Sequence, residues 1–123
     1  MKLKDSFFYV KNFHQTEKGF DYVLELNPEH FIYEAHFPAN PITPGVCIIQ
    51  IIKELLIEKL QCNLFLKRID NIKFLNIINP LENREVTFSI SISSEEMGTH
   101  IINAVVHNSV HRFAKLSIQF INQ

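Results

Sequence analysis

The sequence contains no tryptophan, only three glycines and only two cysteines in 123 residues. Cys47 and Cys62 are too few for a disulfide framework. They have neither Cys-x-x-Cys nor metal-ligand spacing, so buried free thiols are expected. Charge of one sign is also lacking. Twelve Lys and Arg face thirteen Asp and Glu, for a net charge of −1. That balance excludes a dedicated nucleic-acid binder, which needs a basic excess. No apolar run approaches the ~18 residues of a membrane span. No apolar signal-peptide core follows the charged start Met1-Lys2-Leu3-Lys4-Asp5, so a cytoplasmic location is expected. Repeats, low-complexity stretches and linkers are absent too, and residues 1–123 read as one domain.

What the chain does have is oil. Hydrophobic residues make up 46%, with eleven Phe and seventeen Ile, which excludes intrinsic disorder. A chain of this size buries about two-thirds of its unfolded surface, so a core forms without staples.

Most of that oil sits in short alternating segments. Phe7 to Phe13 is aromatic-rich and strand-like. In Gly19 to Leu26, the residues Phe20, Tyr22, Leu24 and Leu26 share a face. Val86, Phe88, Ile90 and Ile92 alternate with Thr87, Ser89 and Ser91, which predicts a strand with one buried face. Leu66 to Ile78 is a further candidate, stopped by Asn79-Pro80. Met97-Gly98-Thr99 signals a turn. His100 to His107 and His111 to Ile121 then form a closing hairpin, with Ala114, Leu116, Ile118 and Phe120 on one face.

One segment differs. From Val46 to about Gln61 there is no Pro or Gly, and Ile48, Ile51, Ile52, Leu55, Leu56 and Leu60 cover most of a helical circumference. Gln50, Glu54, Glu58 and Gln61 form one narrow polar stripe. This predicts a long buried helix, with Thr43 as a candidate cap. Two strands, one buried helix and about four strands make an α+β architecture.

The stretch before the helix, Ala35-His36-Phe37-Pro38-Ala39-Asn40-Pro41-Ile42-Thr43-Pro44-Gly45-Val46, carries three of the five prolines. Each fixes φ and biases its predecessor toward extended geometry, so the loop is stiff and leads directly into the helix. Gly45 lets a ligand approach the N–H groups at the helix start. There the donors and the helix dipole can stabilise an oxyanion.

The string His-Phe-Pro-x-x-Pro-x-x-Pro-Gly-Val before an apolar helix resembles the β-hydroxyacyl-acyl-carrier-protein dehydratases of the FabA/FabZ type. That resemblance implies the hotdog fold, a curved antiparallel sheet wrapped around one long helix. It implies dehydration of (3R)-3-hydroxyacyl thioesters to trans-2-enoyl thioesters in fatty-acid or related lipid biosynthesis. The substrate would ride on the phosphopantetheine of acyl carrier protein, with no cofactor or metal on the enzyme. It further implies a homodimer with the site at the subunit interface. His36 would move the α-proton. The Gly45 N–H would bind the thioester oxygen, flanked by Pro44, Val46 and Phe37. The family's helix carboxylate, supplied by the partner subunit, falls fourteen residues beyond the His, where this chain has Gln50. A Gln can orient a hydroxyl but cannot supply a proton as an acid, and general acid-base groups contribute typically ~10²–10⁴-fold. Many such enzymes read Glu-x-x-x-Gln here, whereas this chain reads Gln50-x-x-x-Glu54. Glu54 lies on the same helix face about one turn (~5–6 Å) away and is the candidate relay.

Two other readings stand beside this one. A hotdog thioesterase would use Glu54 to activate water, or Cys47 as nucleophile. A catalytically weakened subunit would pair with an active dehydratase. The remaining histidines, His14, His30, His100, His107 and His111, are expected to be structural or surface groups. His107 and His111 span a hairpin turn and are not expected to bind metal. Lys67, Arg68, Lys73, Arg112 and Lys115 are candidates to meet an acidic carrier protein.

Overall fold

A computed structural model describes residues 1–36 and 39–123. The strands are β1 (Phe8–Gln15), β2 (Gly19–Leu26), β3 (Leu64–Phe74), β4 (Glu85–Glu96), β5 (Thr99–His107) and β6 (Arg112–Asn122). The helices are α1 (Phe31–Ala35) and α2 (Gly45–Leu60). All six strands join one sheet in the order β1-β2-β4-β5-β6-β3, and every neighbouring pair is antiparallel. The chain leaves β2 near one edge, runs through α2, and re-enters as β3 at the other edge. This is the hotdog fold, and the α+β class agrees with the sequence reading.

Burial follows the period-2 pattern. Phe20, Tyr22, Leu24 and Leu26 of β2 are buried, as are Val86, Phe88 and Ile90 of β4 and Ala114, Leu116, Ile118 and Phe120 of β6. They pack in one core with Cys47, Ile48, Ile51, Ile52, Leu55 and Leu56 of α2. Each such side chain contributes roughly 1.5–3 kcal/mol on burial, so the sheet's inner face and α2 hold each other in place.

Three details depart from the sequence reading. α1 was not foreseen, because five residues are too few for a helical period to register. Leu64–Phe74 forms the strand predicted at 66–78, and it ends early because the Leu75 and Asn76 N–H groups both turn onto the Phe113 carbonyl, at 2.8 and 3.3 Å. Thr43 does not cap α2. The N-cap is Pro44, with φ −65°, and it offers no side-chain acceptor. The Thr43 hydroxyl instead meets Tyr33.

Candidate active site

His36 is the residue that ends α1. Its N–H donates to the Ile32 carbonyl at 3.0 Å, and its ring Nδ1 lies 3.0 Å from the same oxygen. A carbonyl can only accept, so Nδ1 carries the proton and the lone pair sits on Nε2. The residue is exposed, and among the described residues no hydrogen bond within the chain occupies Nε2.

The perch under His36 is built from residues without a motif. The Tyr33 side chain is 2% exposed, and its hydroxyl is 2.8 Å from the Thr43 hydroxyl. This bond ties α1 to the chain entering α2. Phe7 stacks on the Tyr33 ring, with centroids 4.9 Å apart and planes at 17°. Burial pushes the Tyr33 phenol far up, so it stays a neutral hydrogen-bonding group. His30 caps α1. Its Nδ1 accepts the Ile32 N–H at 3.1 Å, and burial pulls its pKa down. That fits the structural role expected for it.

At the start of α2 the N–H groups of Gly45 and Val46 meet no acceptor among the described residues, since the first bonds to the Pro44 carbonyl come from Cys47 and Ile48. Val46 is exposed. Beside Gly45 lies a cavity of about 250 Å³, lined mainly by apolar groups of Ile42, Gly45, Ile48, Phe74, Ile77 and Ile78. The sequence reading did not single out Phe74, which carries no motif of its own. Phe37 lies outside the described residues.

Gln50 and Glu54 are together, as their spacing predicts, but their partners are in the chain's own first residues. The Glu54 carboxylate accepts the Leu3 N–H at 3.0 and 2.8 Å, the Lys4 N–H at 2.8 Å and the Gln50 amide at 2.8 Å. Gln50 also donates to the Met1 carbonyl at 2.8 Å. Further along the stripe, the Lys4 ammonium reaches Glu58. The polar stripe of α2 is therefore a rail that holds residues 1–4. To act as a relay, Glu54 would first have to release these bonds. Among the described residues, no hydrogen bond within the chain joins His36 to Gln50 or Glu54. Cys47 is buried, and burial pushes its thiol up, which makes it a poor thiolate nucleophile.

Among the described residues no cluster of His, Cys, Asp and Glu is arranged to hold a metal ion, and no helix is long and apolar enough to cross a membrane.

No curated protein matches the chain. Among solved structures it is similar to a chain of the dehydratase heterocomplex ApeI:P from Xenorhabdus doucetiae, with a TM-score of 0.73 and 18% identity over 92% of this chain and 96% of that one. An uncharacterized protein from Erwinia carotovora follows at TM-score 0.68 and 16% identity, covering 94% and 95%. A hypothetical thioesterase with coenzyme A from Streptococcus pneumoniae reaches 0.62 at 9% identity, covering 94% and 85%. At these identities the structures show the shared fold. The ApeI-like family, that of the ApeI dehydratase, matches residues 12–111, which include the second half of β1, the His36 loop, α2 and strands β2 to β5. The chain belongs to the ApeI-like dehydratase family.

Proposed function

We propose that the protein removes water from 3-hydroxyacyl thioesters to give trans-2-enoyl thioesters, with the acyl group carried on acyl carrier protein. The observation that carries this reading is the His36 ring. Its Nδ1–H is fixed on the Ile32 carbonyl and its Nε2 lone pair is presented to solvent. His36 Nε2 takes the α-proton. The electron pair left on C2 delocalises into the thioester carbonyl, whose oxygen is held by the free Gly45 N–H. As the pair returns to form the C2–C3 double bond, the C3–O bond breaks. The imidazolium then gives its proton to the leaving hydroxyl, and water departs. One base performs both transfers, so the reaction does not require Glu54 to leave its rail. Gln50 keeps its side-chain oxygen for orienting the hydroxyl.

A homodimer is part of the proposal. β3 is an edge strand, and Phe65, Leu66 and Ile69 on it are about half exposed. An unpaired, apolar edge of this kind invites a second copy.

Purified protein should convert a 3-hydroxyacyl-pantetheine or 3-hydroxyacyl carrier-protein thioester to the enoyl product, followed by mass. His36→Gln should lose roughly 10²–10⁴ of the rate. Release of the free acid instead would point to a thioesterase. A second reading is favoured by Gln50 at the acid position and by the heterocomplex in which the Xenorhabdus relative was solved. In that reading the chain is a weakened subunit, inactive alone, whose activity appears only with a second dehydratase chain.

A further inference from the structure

The cavity beside Gly45 has one wall unlike the others. Phe74 is the last residue of β3, and its backbone pairs with Ala114. The chain beyond it is pinned. Leu75 and Asn76 donate to the Phe113 carbonyl, and the Asn76 amide donates to the Arg112 carbonyl at 2.8 Å. The backbone under Phe74 is thus held on both sides, while the residue is 57% exposed. A ring on a fixed backbone with this exposure can change rotamer without moving the fold.

The ring tip is aimed at Gly45. A Cβ built on that glycine would lie 2.6 Å from the Phe74 Cζ and 3.3 Å from both Cε atoms. A side chain at position 45 would therefore meet the Phe74 ring and displace it. Phe74 and Gly45 both line the cavity, so the ring, the first residue of α2 and the apolar space meet at one point. At about 250 Å³, the cavity has room for roughly eight groups of water or methylene size.

We propose that Phe74 is a specificity-determining gate: its ring closes the apolar cavity beside Gly45 and sets the length of acyl chain that the cavity accepts. The proposal presupposes the acyl-thioester substrate inferred for this site. Ile48, Ile77 and Ile78 form the apolar lining against which methylenes would lie. The ring gives way by rotation when a short chain enters and blocks further extension. Each methylene accommodated should strengthen binding about fourfold, and one that is not accommodated should add nothing.

The test uses the full chain and a series of non-hydrolysable acyl-pantetheine thioethers from C4 to C16, titrated by calorimetry. For the natural protein, affinity should climb about fourfold per methylene and level off near C8. In Phe74→Ala and Phe74→Leu the plateau should move at least two methylenes longer, a gain of about tenfold or more for the long members. In Phe74→Trp it should move shorter. Binding does not depend on turnover, so the readout survives even if the chain is inactive alone. The three variants guard against one that fails to fold, which melting curves reveal. A merely structural Phe74 would weaken all chain lengths alike and leave the plateau in place. A plateau unchanged in every folded variant, or no plateau in the natural protein, overturns the gate while leaving the acyl-thioester reading intact. If no member of the series binds the natural protein, the gate and that reading fall together. A second check lies in the clash itself. Gly45→Ala should reduce binding, and Phe74→Ala should restore part of the loss in the double variant. Additive losses would overturn the contact.

Discussion

Replacing Glu54 by alanine should loosen the chain's first residues and cost a large part of the domain's stability. The Glu54 carboxylate is the acceptor for two backbone N–H groups, those of Leu3 and Lys4, and for the Gln50 amide. Leu3 is 1% exposed, so its N–H has no ready access to water once the carboxylate is gone. Hydrogen bonds to a charged group are worth about 1.5–3 kcal/mol each, and an orphaned buried donor costs about 1–3 kcal/mol. Two orphaned N–H groups thus suggest a loss of roughly 2–6 kcal/mol if the segment stayed in place. The segment can instead peel away, giving up about 1.5–3 kcal/mol for the Leu3 side chain and the bonds around it. The smaller of the two routes sets the observed value, so about 1.5–3 kcal/mol is expected. For a domain of this size that is a fall in Tm on the order of 10 °C. Urea unfolding followed by circular dichroism would measure it, and amide exchange would show the Leu3 and Lys4 N–H groups losing protection. Glu54→Gln keeps one acceptor oxygen and should lose roughly half as much. In a chain lacking residues 1–4, Glu54→Ala should be nearly neutral, because its backbone partners are already gone and only the Gln50 amide remains. A loss below about 0.5 kcal/mol with amide protection intact would refute the rail.

Two further outcomes test the perch of His36. Tyr33→Phe leaves the buried Thr43 hydroxyl unpaired and should cost about 1–3 kcal/mol in urea unfolding; the rate of thioester dehydration should fall as well, while Tyr33→Phe combined with Thr43→Val should regain most of the stability. For His30 the sign follows from its depressed pKa. The folded ring is held neutral as an acceptor, whereas the unfolded ring takes a proton near pH 6.5, so its contribution is present above that pH and lost as pH falls below it. Stability should therefore decline between pH 7.5 and 5.5, and His30→Asn, which keeps a capping oxygen, should flatten that part of the profile.

The sheet and the long helix were legible because each carries its own period. Alternation in β2, β4 and β6 named most of the buried residues, though Ile92 is only partly buried and Phe113 and Gln119 are buried off the alternating face; the sixteen residues of α2 are too many and too apolar to be anything but an enclosed helix. The entry into α2 was legible because Pro44-Gly45 precedes an uninterrupted apolar run, and the helix begins at Gly45. Tyr33, Thr43 and Phe74 were not legible. Each matters through a single long-range contact, and a contact between residues 33 and 43, or 45 and 74, leaves no periodic trace. The polar stripe of α2 was read correctly as a stripe. What lies across it depends on where Leu3 and Lys4 arrive, which local pattern does not encode.

That rail also fixes register. The first residues read Met1-Lys2-Leu3-Lys4, a single leucine between two lysines. Both Glu54 oxygens grip the N–H of Leu3, so the leucine is the residue delivered to the core, while Lys2 stays exposed and Lys4 reaches Glu58. Sliding the segment by one residue would press an ammonium group into an apolar socket, at a cost of several kcal/mol. The carboxylate therefore acts as an index pin. It sets the phase with which the chain enters β1, and through β1 the alignment of the sheet edge that follows.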